Sequence, residues 1–482
     1  MSEVTVNSPI PLVIECNLSN HTSVFANATS VNLNGVIGRT YKNTSYTELN
    51  SYSGMFYNCQ NLTTVTGMNR TYFTNLDYAF YYCTNLTSVS ELPKYATNMY
   101  RTFMYCNSLV NVPVLPNYVT NLAGAFSNCV NLINAPVIPN SVIDMSNTFS
   151  HCYNLSSVSS IPNSVTNMAN TFDYCNKLIN PPVIPPFVTD LSNTFSYCNN
   201  LITAPEIPNS VTTLNYTFRA CNNLTDAPII PNSVKMMKST FNGCTNLVNA
   251  PEIPASVIDM NYAFAGCTNL SFENYPVIPA SVMYCDGMFA NMNTTATDVP
   301  QICWNIFNNC SESVRKSIAG MFYNWCGLVN APIIPSSVTN MFQSFYRCQN
   351  LINAPVIPEN VISLAYTFGY CNKLVNAPII PNSVTCLNWT FVWCSNLTTA
   401  PEIPASVIDM DYTFSYCNKL VGDVYIYSTE VRSALAFPGT NSSLRKIVHI
   451  PFMYSNGEYT KTYNSFNAIY GEGQSGVQLV DI

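Results

Sequence analysis

The sequence predicts an α/β repeat solenoid, a right-handed stack of about sixteen turns of 23 residues closed by a cap at each end. Three observations predict it. Phenylalanine recurs every 23 residues, at Phe80, Phe103, Phe126, Phe149, Phe172, Phe195, Phe218, Phe241 and Phe264, and again at Phe322, Phe345, Phe368, Phe391 and Phe414. Phe56 opens the series one residue out of step. A cysteine stands three residues after nearly every one of these rings, and a P-x-I-P segment precedes most of them. Self-similarity at a fixed period of this length is the mark of stacked repeats, in which each turn buries its apolar face against its neighbours.

One turn, Pro205 to Ala227, reads PEIPNSVTTLNYTFRACNNLTDA. In the next, Val234, Met237, Phe241 and Cys244 are spaced by 3, 4 and 3, which predicts a short helix with one narrow apolar face. Ser233 stands where a hydroxyl caps the first free N–H groups. Leu247 and Ala250 predict a short parallel strand around Asn246–Ala250, ended by Pro251, which has no N–H to donate. The P-x-I-P stretch reads as extended and polyproline-like. Each turn is thus expected to hold one short strand and one short helix.

The segments GMFYNCQNL (from Gly54) and SVTNMANTFDYCNKL (from Ser164) resemble bacterial surface leucine-rich repeats of the BspA type. They are also similar to repeats of mycoplasmal surface lipoproteins. The resemblance covers about Tyr52–Leu420. It implies a leucine-rich-repeat-like stack and a surface recognition role, since such repeats occur in adhesins, parasite surface proteins and phage structural proteins. The double-proline P-x-I-P departs from the regular I-x-I-P strand of that type.

The period organises the chain into an N-terminal cap or attachment segment (1–50), a first array (51–289), an inserted helical excursion (290–321), a second array (322–421) and a C-terminal capping module (422–482). Val4, Val6, Val31 and Leu33 alternate as short strands do. In the insertion, Asp298, Pro300 and Gln301 read as a helix start. Val299, Ile302, Cys303, Ile306 and Phe307 would form one helical face, and Val314, Ile318, Met321 and Phe322 a second. A helix near Thr429–Ala436 and a strand near Lys446–Ile450 are expected beyond the arrays, before TYNSFNAIYG, which resembles terminal modules of gut-bacterial and phage repeat proteins.

Charged residues make up 9% of the chain and the formal net charge is −7. Nucleic-acid binding needs clustered cations, and no Lys/Arg run stands out. MSEVTVNSPI shows neither a basic n-region nor an apolar h-region, and Pro, Asn and Ser interrupt every apolar run, so membrane insertion is not expected. Fifteen of the 20 cysteines sit three residues after a Phe, Cys310 among them, and Trp325 takes that place in the turn of Phe322. They read as a ladder of buried free thiols, which suits folding in a reducing cytoplasm; no C-x-x-C pair suggests a metal.

Catalytic chemistry finds little material. The three histidines, His21, His151 and His449, lie far apart in the chain, and no nucleotide, zinc-protease or cofactor motif is present. Glu206, Glu252 and Glu402 share one repeat position, but the first two are two turns apart, too far for a glycosidase pair. No enzyme, cofactor or metal is expected.

The stronger signal is aromatic. On the expected helix the residues two before and two after the Phe face outward. Both are rings in three consecutive turns: Tyr366 with Tyr370, Trp389 with Trp393, and Tyr412 with Tyr416. Tyr78 with Tyr82 repeats the pattern. Pairs at i and i+4 touch on a helix, so six rings should make an exposed strip of the kind that marks contacts. The strip could equally be covered by the C-terminal module, stiffen the array, join two copies, or recognise a glycan or foreign protein. A weaker candidate is the small polar edge of Thr203, Asp226, Asn249, Asn353, Asn376 and Thr399. The reading that results is a non-enzymatic recognition protein. It would be a phage virion or tail-appendage component touching a host surface glycan or protein and joined to other virion proteins through its N-terminal segment. The alternatives are a bacterial cell-surface adhesin and a structural spacer; a homo-oligomer is possible in each case.

Overall fold

The structure, a computed structural model, describes residues 3–5, 27–32, 53–68, 73–270, 276–292, 317–428, 436–437, 446–449 and 477–480. The chain forms two compact units, Met1–Ser256 and Val257–Ile482. Each is a stack of repeated turns whose core is a set of ladders, one residue type per turn. Val, Met or Leu, Phe, Cys and Leu of the template are fully buried throughout, as Val142, Met145, Phe149, Cys152 and Leu155 illustrate. The phenylalanines lie face to face along the stack. In the first unit Phe103 and Phe126 are 5.5 Å apart at 8°, and in the second Phe345 and Phe368 are 5.6 Å apart at 6°.

The segment carrying the Phe is not a helix. Among the described residues none is helical, and this stretch is a chain of overlapping tight turns. Ala79, Tyr81 and Cys83 donate their amides to the carbonyls three residues back, Leu76, Tyr78 and Phe80, at 3.0–3.1 Å. The amides between them point the other way. Tyr78, Phe80 and Tyr82 donate to Tyr100, Thr102 and Met104 of the next turn at 2.8–3.0 Å. This alternation needs left-handed backbone. In every turn from that of Phe56 to that of Phe414, the residues two before and two after the Phe have φ between +52° and +78°. Such a φ at the third position of a four-residue turn is the type II signature. It costs a non-glycine residue about 1–2 kcal/mol, and the hydrogen bonds between turns offset that cost.

Side chains add further bonds between turns. The thiol of Cys152 donates to the Phe126 carbonyl at 3.1 Å. The hydroxyl of the fully buried Thr148 donates to the Leu122 carbonyl at 3.0 Å. Ser233, expected as a helix cap, instead donates its hydroxyl to the carbonyl of Val211 one turn earlier, at 2.6 Å. The invariant-looking letters S, T and C of the template therefore have one task, which is to satisfy buried carbonyls of the preceding turn.

The expected strand around Asn246–Ala250 shrinks to a single bridge per turn. Thr203 pairs with Asp226 and Asp226 with Asn249, all parallel, and prolines flank them. A second column of bridges runs through Asn121, Asp144, Asn167 and Asp190, where Asx turns set the chain direction: Asp144 Oδ1 accepts from the Ser146 amide at 2.8 Å. Among the described residues, longer strands occur only towards the termini. In the first unit β1 (Glu3–Thr5), β2 (Ser30–Asn32), β3 (Thr64–Thr66) and β4 (Ser88–Val89) form a parallel sheet in that order, with Val31 and Val65 buried. In the second, β5 (Gly422–Tyr425), β6 (Lys446–His449) and β7 (Val477–Val480) form another.

Two features of the second unit bear on the boundaries read from the sequence. The turns of Phe289 and Phe322 stack directly on one another: Gly287 donates to Ala319 at 2.8 Å and Asn291 to Tyr323 at 2.7 Å. The Phe ladder also runs one turn past Leu420, since Phe437 stacks on Phe414 at 5.1 Å and 15°. The helix expected at 298–307, Cys310, the segment TYNSFNAIYG and all but Ala436 of the helix expected near Thr429–Ala436 lie outside the described residues; Ala436 is not helical, and Ile318, Met321 and Phe322 of the second expected helical face lie in tight turns.

Candidate functional site

The two left-handed positions of each turn are the ones the aromatic residues occupy. Tyr366, Tyr370, Trp389, Trp393, Tyr412 and Tyr416 all have φ between +54° and +60°. The rings do not pair within a turn as i and i+4 residues of a helix do. They stack on the equivalent ring of the next turn, in two piles. Tyr366 lies on Trp389 at 5.7 Å and 3°, and Trp389 on Tyr412 at 4.4 Å. Tyr370 lies over Trp393 at 6.1 Å and 14°, and Trp393 on Tyr416 at 4.3 Å. Tyr346 stands edge-on to both Tyr366 and Tyr370, at 6.1 and 5.4 Å, and closes the trough between the piles at that turn. Gly369 makes room for it: a Cβ there would sit 2.8 Å from the Tyr346 ring. Arg347 reaches over Tyr370 at 5.5 Å.

Stacking changes what the strip offers. The faces of the rings are turned to one another, and Trp393 and Tyr416 keep 39% and 42% exposure. Tyr78 and Tyr82 of the first unit are joined through Tyr81, at 5.6 and 6.1 Å, and Tyr82 leans on Tyr105 at 5.2 Å. A third pile there runs from His151 to Tyr174 to Tyr197, at 4.6 and 4.2 Å, and Arg219 covers its end at 5.2 Å. Beside it, burial raises Asp173 to about 6 against the opposing pull of Ser196 and Arg219. Burial also lowers the pKa of His151.

Six overlapping stretches of the chain, 40–156, 76–202, 145–271, 189–315, 286–397 and 342–454, match the BspA type leucine rich repeat region. The chain belongs to the BspA-type leucine-rich repeat family. Similar solved structures include a leucine-rich repeat protein from Bacteroides ovatus, 19% identical over 92% of this chain and 98% of that one, with a TM-score of 0.47. Another is a leucine rich cell surface protein from Faecalibacterium prausnitzii, 20% identical over 82% and 86%, with a TM-score of 0.34. YopM from Yersinia enterocolitica is 13% identical over 88% and 87%, with a TM-score of 0.34. No curated protein sequence matches the chain.

The residues of the polar edge are exposed and lie on a bridge column of this BspA-type stack. Thr203, Asp226 and Asn249 follow one another in the first unit, and Asn353, Asn376 and Thr399 in the second. Asn249 donates its amide to Asp226 Oδ1 at 2.8 Å, and this bond holds the Asp226 carboxyl below its ordinary range. Among the described residues no group of three His, Cys, Asp or Glu is placed to hold a metal ion, and no helix is long and apolar enough to cross a membrane.

One surface was missed by sequence reasoning. The variable residue of P-x-I-P is the most exposed apolar position in the BspA-type turn. Val183 is 84% exposed beside Ile184 at 4%, because consecutive side chains of an extended segment point to opposite sides. Val114, Ile229, Ile333, Val356 and Ile379 are equally bare. The extended reading of P-x-I-P contained this signal; apolar character alone suggested the core.

Proposed function

We propose that this BspA-type repeat protein is a non-enzymatic recognition protein that attaches to a surface through the paired aromatic piles of its second unit. The observation that carries the proposal is the concentration of Trp389, Trp393, Tyr412 and Tyr416 in neighbouring turns, stacked ring on ring, with Trp393 and Tyr416 exposed. Trp and Tyr are the residues most enriched at binding hot spots, because they supply rigid contact area together with a polar tip. Left-handed backbone disfavours large side chains, yet Tyr recurs at these positions beside Gly and Asn along the stack, and only here do Tyr and Trp fill both positions in three consecutive turns. The partner is a host or neighbouring-cell protein or glycan that meets these rings. A purely structural spacer would use the same rings only to stiffen the stack.

The repeat family supports a bacterial cell-surface adhesin. A second setting, a phage tail appendage, is favoured by one observation: thiols such as Cys106, Cys152 and Cys244 are buried and in no disulfide, as expected of a chain that folds fully in a reducing cytoplasm before leaving it. The test is the double change Trp389→Ala with Trp393→Ala. Recognition predicts a loss of cell or glycan-array binding with mass and fold retained. A spacer predicts a lower melting temperature with binding unchanged. Immunogold labelling of cells and of purified virions separates the two settings.

A further inference from the structure

In the first unit the exposed residue of P-x-I-P alternates over four consecutive turns: Val183, Glu206, Ile229, Glu252. Each apolar member and the acid that follows it flank a groove. The first groove, of about 590 Å³, is lined by Pro182 and Val183 on one side and by Pro205 and Glu206 on the other, with Thr203 of the polar edge at its end. The second, of about 430 Å³, has the same lining two turns on: Pro228 and Ile229 against Pro251 and Glu252. Both carboxylates are exposed, and neither side chain has a hydrogen bond or ion pair among the described residues. They are conspicuous on a chain with 9% charged residues. The couple occurs a third time in the second unit as Ile379 and Glu402, both exposed.

We propose that these grooves bind an extended, basic polypeptide segment with a cationic side chain every third residue. The charge fits, since each groove offers an unpaired carboxylate next to an apolar wall that suits the aliphatic stem of lysine or arginine. The spacing fits as well. Parallel turns stack about 4.8 Å apart, so equivalent groups two turns apart are separated by about 9.6 Å. Three residues of polyproline-like chain rise about 9.3 Å. A segment running along the stack therefore presents one cation to Glu206 and the next to Glu252, while its intervening residues pass over Ile229. The proline-edged walls are rigid before binding, which lowers the ordering cost of association. The site is on a different face of the turn from the aromatic piles, and its test does not depend on them.

The test is fluorescence anisotropy of the full chain with a labelled peptide of repeating Lys-Pro-Val. Controls are repeating Glu-Pro-Val and repeating Lys-Pro-Val-Val, which moves the cations out of register. Saturable binding of the first peptide at low ionic strength is expected, weakening as salt is raised. Glu206→Gln with Glu252→Gln should weaken it about tenfold, the value for losing two exposed ion pairs. The out-of-register peptide should bind several-fold more weakly to the unaltered protein. Both substitutions are at exposed positions, and an unchanged melting curve checks the fold. Absence of binding, equal binding of the acidic peptide, or affinity indifferent to the double substitution overturns the proposal.

Discussion

The thiol of Cys106 donates a hydrogen bond of 3.1 Å to the carbonyl oxygen of Phe80, 26 residues earlier and one turn below. The same carbonyl accepts the amide of Cys83 of its own turn at 3.1 Å. A buried carbonyl with two acceptor positions thus has both filled, one by each of two successive cysteines. Cysteine holds this place because it combines small apolar volume with a donor that reaches across the gap between turns. Cys106→Ala should therefore cost about 1–2 kcal/mol, from a lost weak donor and a small void. Cys106→Ser keeps a donor but shortens it. Denaturant midpoints for the two variants, compared with the parent, measure the difference; an Ala variant as stable as the parent would show that the thiol only fills space.

The buried thiols also predict the response to alkali. Burial raises Cys244 to about 12 and pushes Cys221 and Cys371 well up. A thiol titrates near 9 once unfolded, so the folded state binds the extra proton over that interval. The stability these groups contribute is complete below about pH 9 and is lost as pH rises from 9 towards 12, at about 1.4 kcal/mol per thiol for each pH unit. Melting temperature measured from pH 7 to 11 should be flat as far as pH 8.5 and then fall steeply. Maleimide should label few of the ladder thiols until the chain is unfolded without reductant, and then label them all.

Phe241 is fully buried and stacks on Phe218 at 5.7 Å and 8°. Removing its ring in Phe241→Ala should cost about 3–5 kcal/mol. The two faces of a ladder ring serve different turns, so amide exchange should rise in the turns on both sides of the substitution and not only in its own.

Ala220 has a φ of +55°. Were this segment the helix that its spacing suggests, Ala220→Gly would destabilise the protein by about 1 kcal/mol. In left-handed backbone the sign reverses, and the glycine variant should gain up to about 1 kcal/mol. Thermal unfolding of the variant decides between the two conformations.

The ladder residues were legible because burial follows spacing: Val, Met, Phe, Cys and Leu at a fixed period are all inside. The conformation that carries them was not, because a spacing of 3, 4 and 3 suits both a helical face and a run of tight turns. Composition held the missing clue. Gly54, Gly124, Gly287 and Gly320 stand two before the Phe, Gly243 and Gly266 two after it, and Asn fills several of the rest. Gly and Asn at a fixed place in a repeat signal left-handed backbone, and three consecutive turns of Tyr and Trp in the same columns drew the eye away from it. The aromatic residues were found and their arrangement was not: neighbours along the chain became neighbours across turns. The grooves of Val183 and Ile229 were invisible for a different reason. Apolar residues next to proline read as core, whereas an extended segment with one buried isoleucine must turn its neighbour outward.

The alternating amides have an electrical consequence. Tyr78, Phe80 and Tyr82 aim their N–H bonds at the following turn, and the arcs above repeat that direction. A second column runs the other way: Thr97, Thr120 and Ile143 donate to Thr74, Thr97 and Thr120 of the turn before, so the peptide dipoles of the two columns oppose one another. A stack with few charged side chains thus carries two opposed columns of aligned peptide groups. Within one turn the Phe arc thus donates towards later turns and the threonine column towards earlier ones, so each turn grips both of its neighbours as donor and as acceptor.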